Sequence, residues 1–171
     1  MIMKKVALFV MALMMSVAAN AQFEQGKFYC GASLSGLDLN YSGLTKGHAS
    51  IQGKVGYLLW DNLMATVQGS YDKAKDSPTT ASLGVGARYY IEQNGIYLGA
   101  SALYKHAPGE EKSYNDVLPS LQVGYAFFVS RTVTIEPELY YEQSFKNHKD
   151  YSNFGLRIGI GIYLFDDMKK N

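Results

Sequence analysis

His148 and Ser152 are the two residues whose types suggest covalent chemistry. A serine becomes a nucleophile when a nearby histidine takes its proton and a carboxylate orients that histidine. Four residues apart, the two side chains share a face if both lie in a regular strand. Glu142 and Asp150 are the acids near enough in sequence to serve. His48 and His106 make no His-x-x-His or His-Glu-x-x-His spacing with His148. The single Cys30 excludes an internal disulfide and adds no ligand cluster, so neither a metal nor any other cofactor is expected. Glu110, Glu111 and Asp116 read as a charged loop rather than a calcium site. Gly84-Val85-Gly86 and Gly159-Ile160-Gly161 fall within strand patterns, not at the strand-to-helix turns that cradle phosphate.

A second group of residues does electrostatic rather than covalent work. Lys54, Arg88, Lys105 and Arg157 occur at positions where neighbouring residues of the same parity are Gly, Ser, Thr and Gln. So do Asp72, Glu136, Glu138 and Glu142. Charges enclosed by a fold must be paired or hydrogen-bonded. These eight residues are therefore expected to form an internal ionic network linking the last two strands to the rest.

The elements that would position them repeat every two residues. In the final stretch, Phe154, Leu156, Ile158, Ile160, Ile162 and Leu164 lie on one face. Gly155, Arg157, Gly159, Gly161, Tyr163 and Phe165 lie on the other. The same alternation predicts strands over 27–37, 48–59, 63–72, 80–91, 96–105, 117–129 and 133–142, making eight in all. Trp60-Asp61-Asn62, Glu92-Gln93-Asn94-Gly95 and Ser130-Arg131-Thr132 read as tight turns, the second carrying the Asn-Gly hairpin signal. Residues 38–47, 73–79, 106–116 and 144–150 read as polar loops, with 106–116 the longest. Pro119 suits a strand end. Pro137 is expected to mark a bulge or bend in strand seven.

The orientation of the apolar faces decides between two eight-stranded folds. A soluble calyx of the lipocalin kind would turn them inward and cover its outer surface with charge. Here the opposite face is too poor in Lys, Glu and Asp to be a solvated exterior. Apolar bands of about ten residues backed by small polar positions fit strands crossing lipid at a tilt. The fold class is therefore all-β, an eight-stranded antiparallel up-and-down transmembrane β-barrel. Aromatic belts are expected at both interfaces. Phe28, Tyr57, Trp60, Tyr89, Tyr97, Tyr125, Phe127, Tyr163 and Phe165 would form one belt. Tyr41, Tyr71, Tyr104, Tyr141 and Tyr151 would form the other.

Residues 1–21 read as a cleaved signal peptide. Lys4 and Lys5 precede an apolar run over Val6–Ala18 and the small-residue site Ala19-Asn20-Ala21. The barrel then occupies 22–165, opening on a short polar leader at 22–26, and 166–171 is a charged tail. Without Lys4 and Lys5, 14 basic and 15 acidic side chains remain, a formal charge of −1 that gives no support for a nucleic-acid partner. Short turns lie at the end bearing the termini and longer loops at the other. That arrangement puts the termini in the periplasm and the loops outside the cell.

The stretch Gly53-Lys54-Val55-Gly56-Tyr57-Leu58-Leu59-Trp60-Asp61-Asn62-Leu63 resembles the G-Y-F-x-x-D-N-L hairpin of the small outer-membrane β-barrel families typified by outer membrane protein X and the barrel of outer membrane protein A. Leu58 stands at the phenylalanine position. The final strand ending in Phe165 resembles their C-terminal aromatic signal, followed here by six extra residues. The resemblance implies outer-membrane location as a monomer in contact with lipid and lipopolysaccharide. It also implies insertion by the barrel-assembly machinery and no established enzymatic role. His148 with Ser152-Asn153 is similar to the His-x-Ser-Asn motif of lipid A deacylases, which are also outer-membrane barrels, but at a separation of four rather than two. The function expected is a structural or surface-interaction role for a barrel plugged by its own polar side chains. A deacylase-like enzyme and a lipocalin-like binding barrel are the alternatives.

Overall fold

The computed structural model describes residues 23–40, 43–44, 49–73, 79–91, 94–107, 114–146 and 152–164. Eight long strands form: β1 Phe28–Asn40, β2 Ala49–Trp60, β3 Leu63–Lys73, β4 Thr80–Tyr90, β5 Ile96–Ala107, β6 Tyr114–Tyr125, β7 Val133–Glu142 and β8 Asn153–Leu164. Each pairs antiparallel with the next, and β8 returns to pair with β1, so the wall is a closed barrel without a free edge. Two short pieces join the ladder: Gly43–Leu44 against β1 and Phe127–Phe128 against β7.

The alternation in the sequence becomes an inside and an outside. Leu34, Ile51, Leu83, Val85, Leu121, Ile158 and Ile160 are exposed, while Gln52, Lys54, Gln68, Arg88, Glu136, Glu138 and Arg157 are buried. This inverts the order of a soluble protein, whose charged side chains are almost never fully buried. It excludes the calyx, which requires the aliphatic residues to line a cavity. Closure is what makes an apolar exterior compatible with lipid, because every strand finds both its neighbours.

The turns use residues that tolerate left-handed backbone. Asn62, at φ 67°, closes the β2–β3 hairpin, and Gly95, at φ 90°, closes β4–β5. The Oδ1 of Asn94 accepts the Ile96 N–H at 2.9 Å and fixes the second turn.

Several sequence expectations are corrected. The β5–β6 hairpin continues to Ala107↔Tyr114, so His106 and Asp116 lie in strands rather than in a loop. The ladder needs only backbone pairing, which persists beyond the apolar band. Pro137 causes no bulge: its register with β8 is unbroken through Ile158↔Pro137. Its effect falls on the other side, where β6–β7 pairing stops at Gly124↔Glu138 and resumes at Phe127↔Ile135. A residue without an N–H cannot complete the ladder there. The shifts of register occur instead at Ser35/Leu37 and Leu58/Trp60.

Tyr97 and Tyr163 do not belong to the interfacial belt. They are buried inside with Tyr29, Tyr90, Leu58, Met64 and Ala126, forming an apolar layer at the turn end. Their neighbours Ile96, Ile162 and Leu164 take the outward positions. Phe28, Trp60 and Tyr89 at the turn end, and Tyr71, Tyr104 and Tyr141 at the loop end, do face outward. Tyr41, Tyr151 and Phe165 lie outside the described residues. The segment expected to be a polar leader instead carries Phe23, which is fully buried in the apolar layer.

Candidate functional site: the interior ionic cluster

Beyond the apolar layer the barrel interior is crossed by charges from four strands. β7 supplies Glu136 and Glu138, two residues apart and therefore on one face. β4 supplies Arg88, β2 supplies Lys54 and β8 supplies Arg157. Arg88 Nη1 lies 2.8 Å from Glu136 Oε2, and its Nη2 lies 3.2 Å from Glu138 Oε2. One guanidinium thus bridges both carboxylates, using the fixed fork of donors that lysine lacks. Arg157 reaches Glu138 Oε1 at 3.1 Å and Glu142 Oε1 at 3.6 Å, and Lys54 Nζ lies 3.4 Å from Glu138 Oε2.

Uncharged groups add to the coordination. Tyr29 donates to Glu136 Oε2 at 2.8 Å, Thr134 Oγ1 to Glu136 Oε1 at 2.8 Å, and Tyr97 to Glu138 Oε2 at 3.0 Å. Arg157 Nη1 donates to Gln52 Oε1 at 2.7 Å, and Lys54 to Gln122 Oε1 at 3.2 Å. The Arg88 guanidinium lies 3.8 Å from the centre of the Tyr97 ring, and that of Arg157 lies 3.9 Å from the centre of Tyr140. Rings at that distance attract a desolvated cation. Three cations therefore meet Glu136, Glu138 and Glu142 with no net charge, as enclosure of charge requires.

Glycine at 161 is part of the design. A Cβ there would collide with Glu136 Oε1, Thr134 Oγ1 and the Tyr29 ring. The small inward residue on β8 is what admits the large polar groups of β7 and β1.

Of the eight residues named from sequence, six are brought into this cluster. Asp72 and Lys105 sit apart from it, toward the loops, where they line a second cavity with Glu142 and Arg157. Asp72 there accepts from Ser70 Oγ at 3.2 Å and Thr80 Oγ1 at 3.4 Å. That cavity and a first one beside Arg88 and Arg157 each measure about 20 Å³, room for about one water. Sequence reasoning did not assign to this site Tyr29, Tyr97 or Tyr163, the last of which donates to Glu136 Oε1 at 3.3 Å. Their inward parity was the available signal, and for Tyr97 and Tyr163 it was outweighed by the expectation that aromatics mark interfaces.

The covalent pair has a different fate. Ser152 is buried, and its Oγ accepts the Ser144 N–H at 3.0 Å. Ser144 Oγ in turn donates to Asp116 Oδ2 at 2.5 Å, tying the base of the last loop to β6. Glu142, a candidate for orienting the histidine, is engaged with Arg157. His148, Asp150 and His48 lie outside the described residues. His106 Nδ1 meets Asn115 Oδ1 at 2.6 Å across the β5–β6 hairpin. Among the described residues no group of three or more His, Cys, Asp or Glu is placed to hold a metal.

Comparison with known proteins agrees with this architecture. The family model described as outer membrane protein beta-barrel domain matches residues 7–167. The N-terminal β-barrel domain of Pseudomonas aeruginosa OprF superposes with a TM-score of 0.63 at 11% identity, covering 82% of this chain and 98% of that one. Neisserial surface protein A superposes at 0.61 with 18% identity, covering 81% and 97%. A de novo designed transmembrane β-barrel gives 0.52 with 14% identity, covering 84% and 99%. Identities this low carry the fold alone. No curated protein matches the chain in sequence.

Proposed function

The chain belongs to the outer membrane protein beta-barrel domain family, and from that premise we propose that it is a sealed, monomeric barrel whose wall holds surface loops in place. The observation that supports this reading is the polar side-chain cluster across the interior. The neutral cluster of Lys54, Arg88, Arg157, Glu136, Glu138 and Glu142 crosses the lumen beside cavities of only about 20 Å³. An eight-stranded barrel has an interior just wide enough for such side chains.

In this reading residues 1–21 direct export and are removed before Gln22. The barrel-assembly machinery inserts the rest. The apolar faces contact lipid and lipopolysaccharide, the termini and short turns face the periplasm, and the long-loop end of the barrel faces the cell exterior. The role is structural support or surface interaction, served by the rigidity of the wall rather than by transport.

Reconstitution into planar bilayers tests the seal, the expected result being no ion conductance above that of protein-free membrane. A steady open conductance would refute it. An epitope inserted in 108–113 should bind antibody on intact cells, whereas one appended after Asn171 should bind only after the envelope is permeabilised. The reverse labelling would overturn the orientation.

A further inference from the structure

The residues ahead of β1 are not a slack tether. Phe23 is fully buried, its ring stacked on Tyr90 at 3.7 Å and 10° and edge-on to Tyr163 at 5.5 Å. Half-buried Phe128 packs against the same group at 5.7 Å. Tyr90, Tyr163 and Phe128 come from β4, β8 and the end of the β6 line, so one ring from outside the wall joins three separated parts of it.

The backbone around this ring is fixed as firmly. Asn62 N–H donates to the Phe23 carbonyl at 2.8 Å, and Asn62 in turn accepts from Tyr90 N–H at 2.8 Å. Gly26 N–H donates to Leu58 O at 2.9 Å, and Leu58 N–H donates to Lys27 O at 3.0 Å. Gln25 binds Asp61 Oδ1 through its backbone and Leu59 O through its side chain. Gly26, at φ 92°, makes the reversal that leads from the mouth into β1.

We propose that Phe23–Lys27 is a stopper that closes the turn-end mouth of the barrel, a seal separate from the ionic cluster farther in. It encloses the apolar layer of Leu58, Met64, Tyr90, Tyr97 and Tyr163 from water on that side, which is the periplasm in the orientation proposed above. It rests on the reading that processing occurs before Gln22. A cut there leaves a single residue ahead of the buried ring.

Thiol labelling in detergent micelles tests this, with Cys30→Ser as background. Met64→Cys places a thiol behind the stopper, and Ser70→Cys places one in the loop-end cavity. Adding Phe23→Ala should raise the rate at the Met64→Cys thiol toward a small charged methanethiosulfonate by about ten-fold or more, through freed local opening. The Ser70→Cys rate should stay within about two-fold. An unchanged Met64→Cys rate, or an equal rise at both thiols, overturns the stopper. Heat-modifiable mobility confirms that each variant is a closed barrel, with Leu58→Cys replacing Met64→Cys if the latter does not fold. The intact mass of the purified protein reports the processing site separately. A start other than Gln22 alongside the expected labelling would refute the processing reading while leaving the seal.

Discussion

Glu138 is the residue on which the interior charge balance turns. It receives Arg88, Arg157 and Lys54 together with the Tyr97 hydroxyl, and is almost wholly buried. Glu138→Gln preserves its shape but leaves three enclosed cations facing two carboxylates. Removing one partner from a buried ionic group costs about 3–5 kcal/mol, and urea unfolding of the barrel in detergent or lipid should show a loss of that size. Glu142→Gln alters a carboxylate that meets Arg157 at the longer distance of 3.6 Å and should cost less than Glu138→Gln, whose carboxylate meets three cations. Equal losses at the two positions would show that the cluster is not organised around Glu138. Ser152 belongs to a different account. With its hydroxyl buried against Ser144 N–H, Ser152→Ala should leave the acyl composition of lipid A unchanged in mass spectra of cells expressing the protein. A changed acyl pattern that depends on Ser152 would restore the deacylase reading.

Among the elements, β8 states the inside–outside rule most plainly, with six exposed apolar side chains alternating with buried Gly155, Arg157, Gly159, Gly161 and Tyr163. Ile158→Lys puts a charge at the strand's middle on the lipid side and should cost about 2–4 kcal/mol, against about 0–1 for Leu164→Lys at the strand end. Unfolding from liposomes measures both, and a cost at Ile158 no larger than at Leu164 would place that face in water. These faces were legible in the chain because a repeat of two is local and needs no knowledge of the partner strand. Height within the barrel was not. Asp72 and Lys105 have the same inward parity as Glu138, yet the ladder Ser82↔Lys105↔Asp116 carries Lys105 toward the loops. Phe23 was hidden for a related reason. It lies in no strand, and closure of the wall is what gathers its partners Tyr90 and Tyr163.

For the whole molecule, stability in lipid is a property of closure more than of any one strand. β8 pairs with β7 from Asn153↔Glu142 to Ile162↔Val133 and with β1 from Asn40↔Asn153 to Phe28↔Leu164. A chain ending before Asn153 would keep the β1–β7 ladders but leave β1 and β7 as edges facing hydrocarbon. Each backbone group left without a partner there costs several kcal/mol, so the unpaired edges would outweigh the net stability of an ordinary domain, about 5–15 kcal/mol. The same truncation removes Arg157 and Tyr163, opening the ionic cluster and uncovering one side of Phe23. The loss is therefore one of membrane integration, not of a graded shift in melting. Such a chain should be absent from the outer-membrane fraction and should show no heat-modifiable band, while a chain lacking only 166–171 should retain both. Recovery of the shorter chain in the membrane as a folded species would mean that seven strands can close on themselves, and that the β1–β8 seam is dispensable.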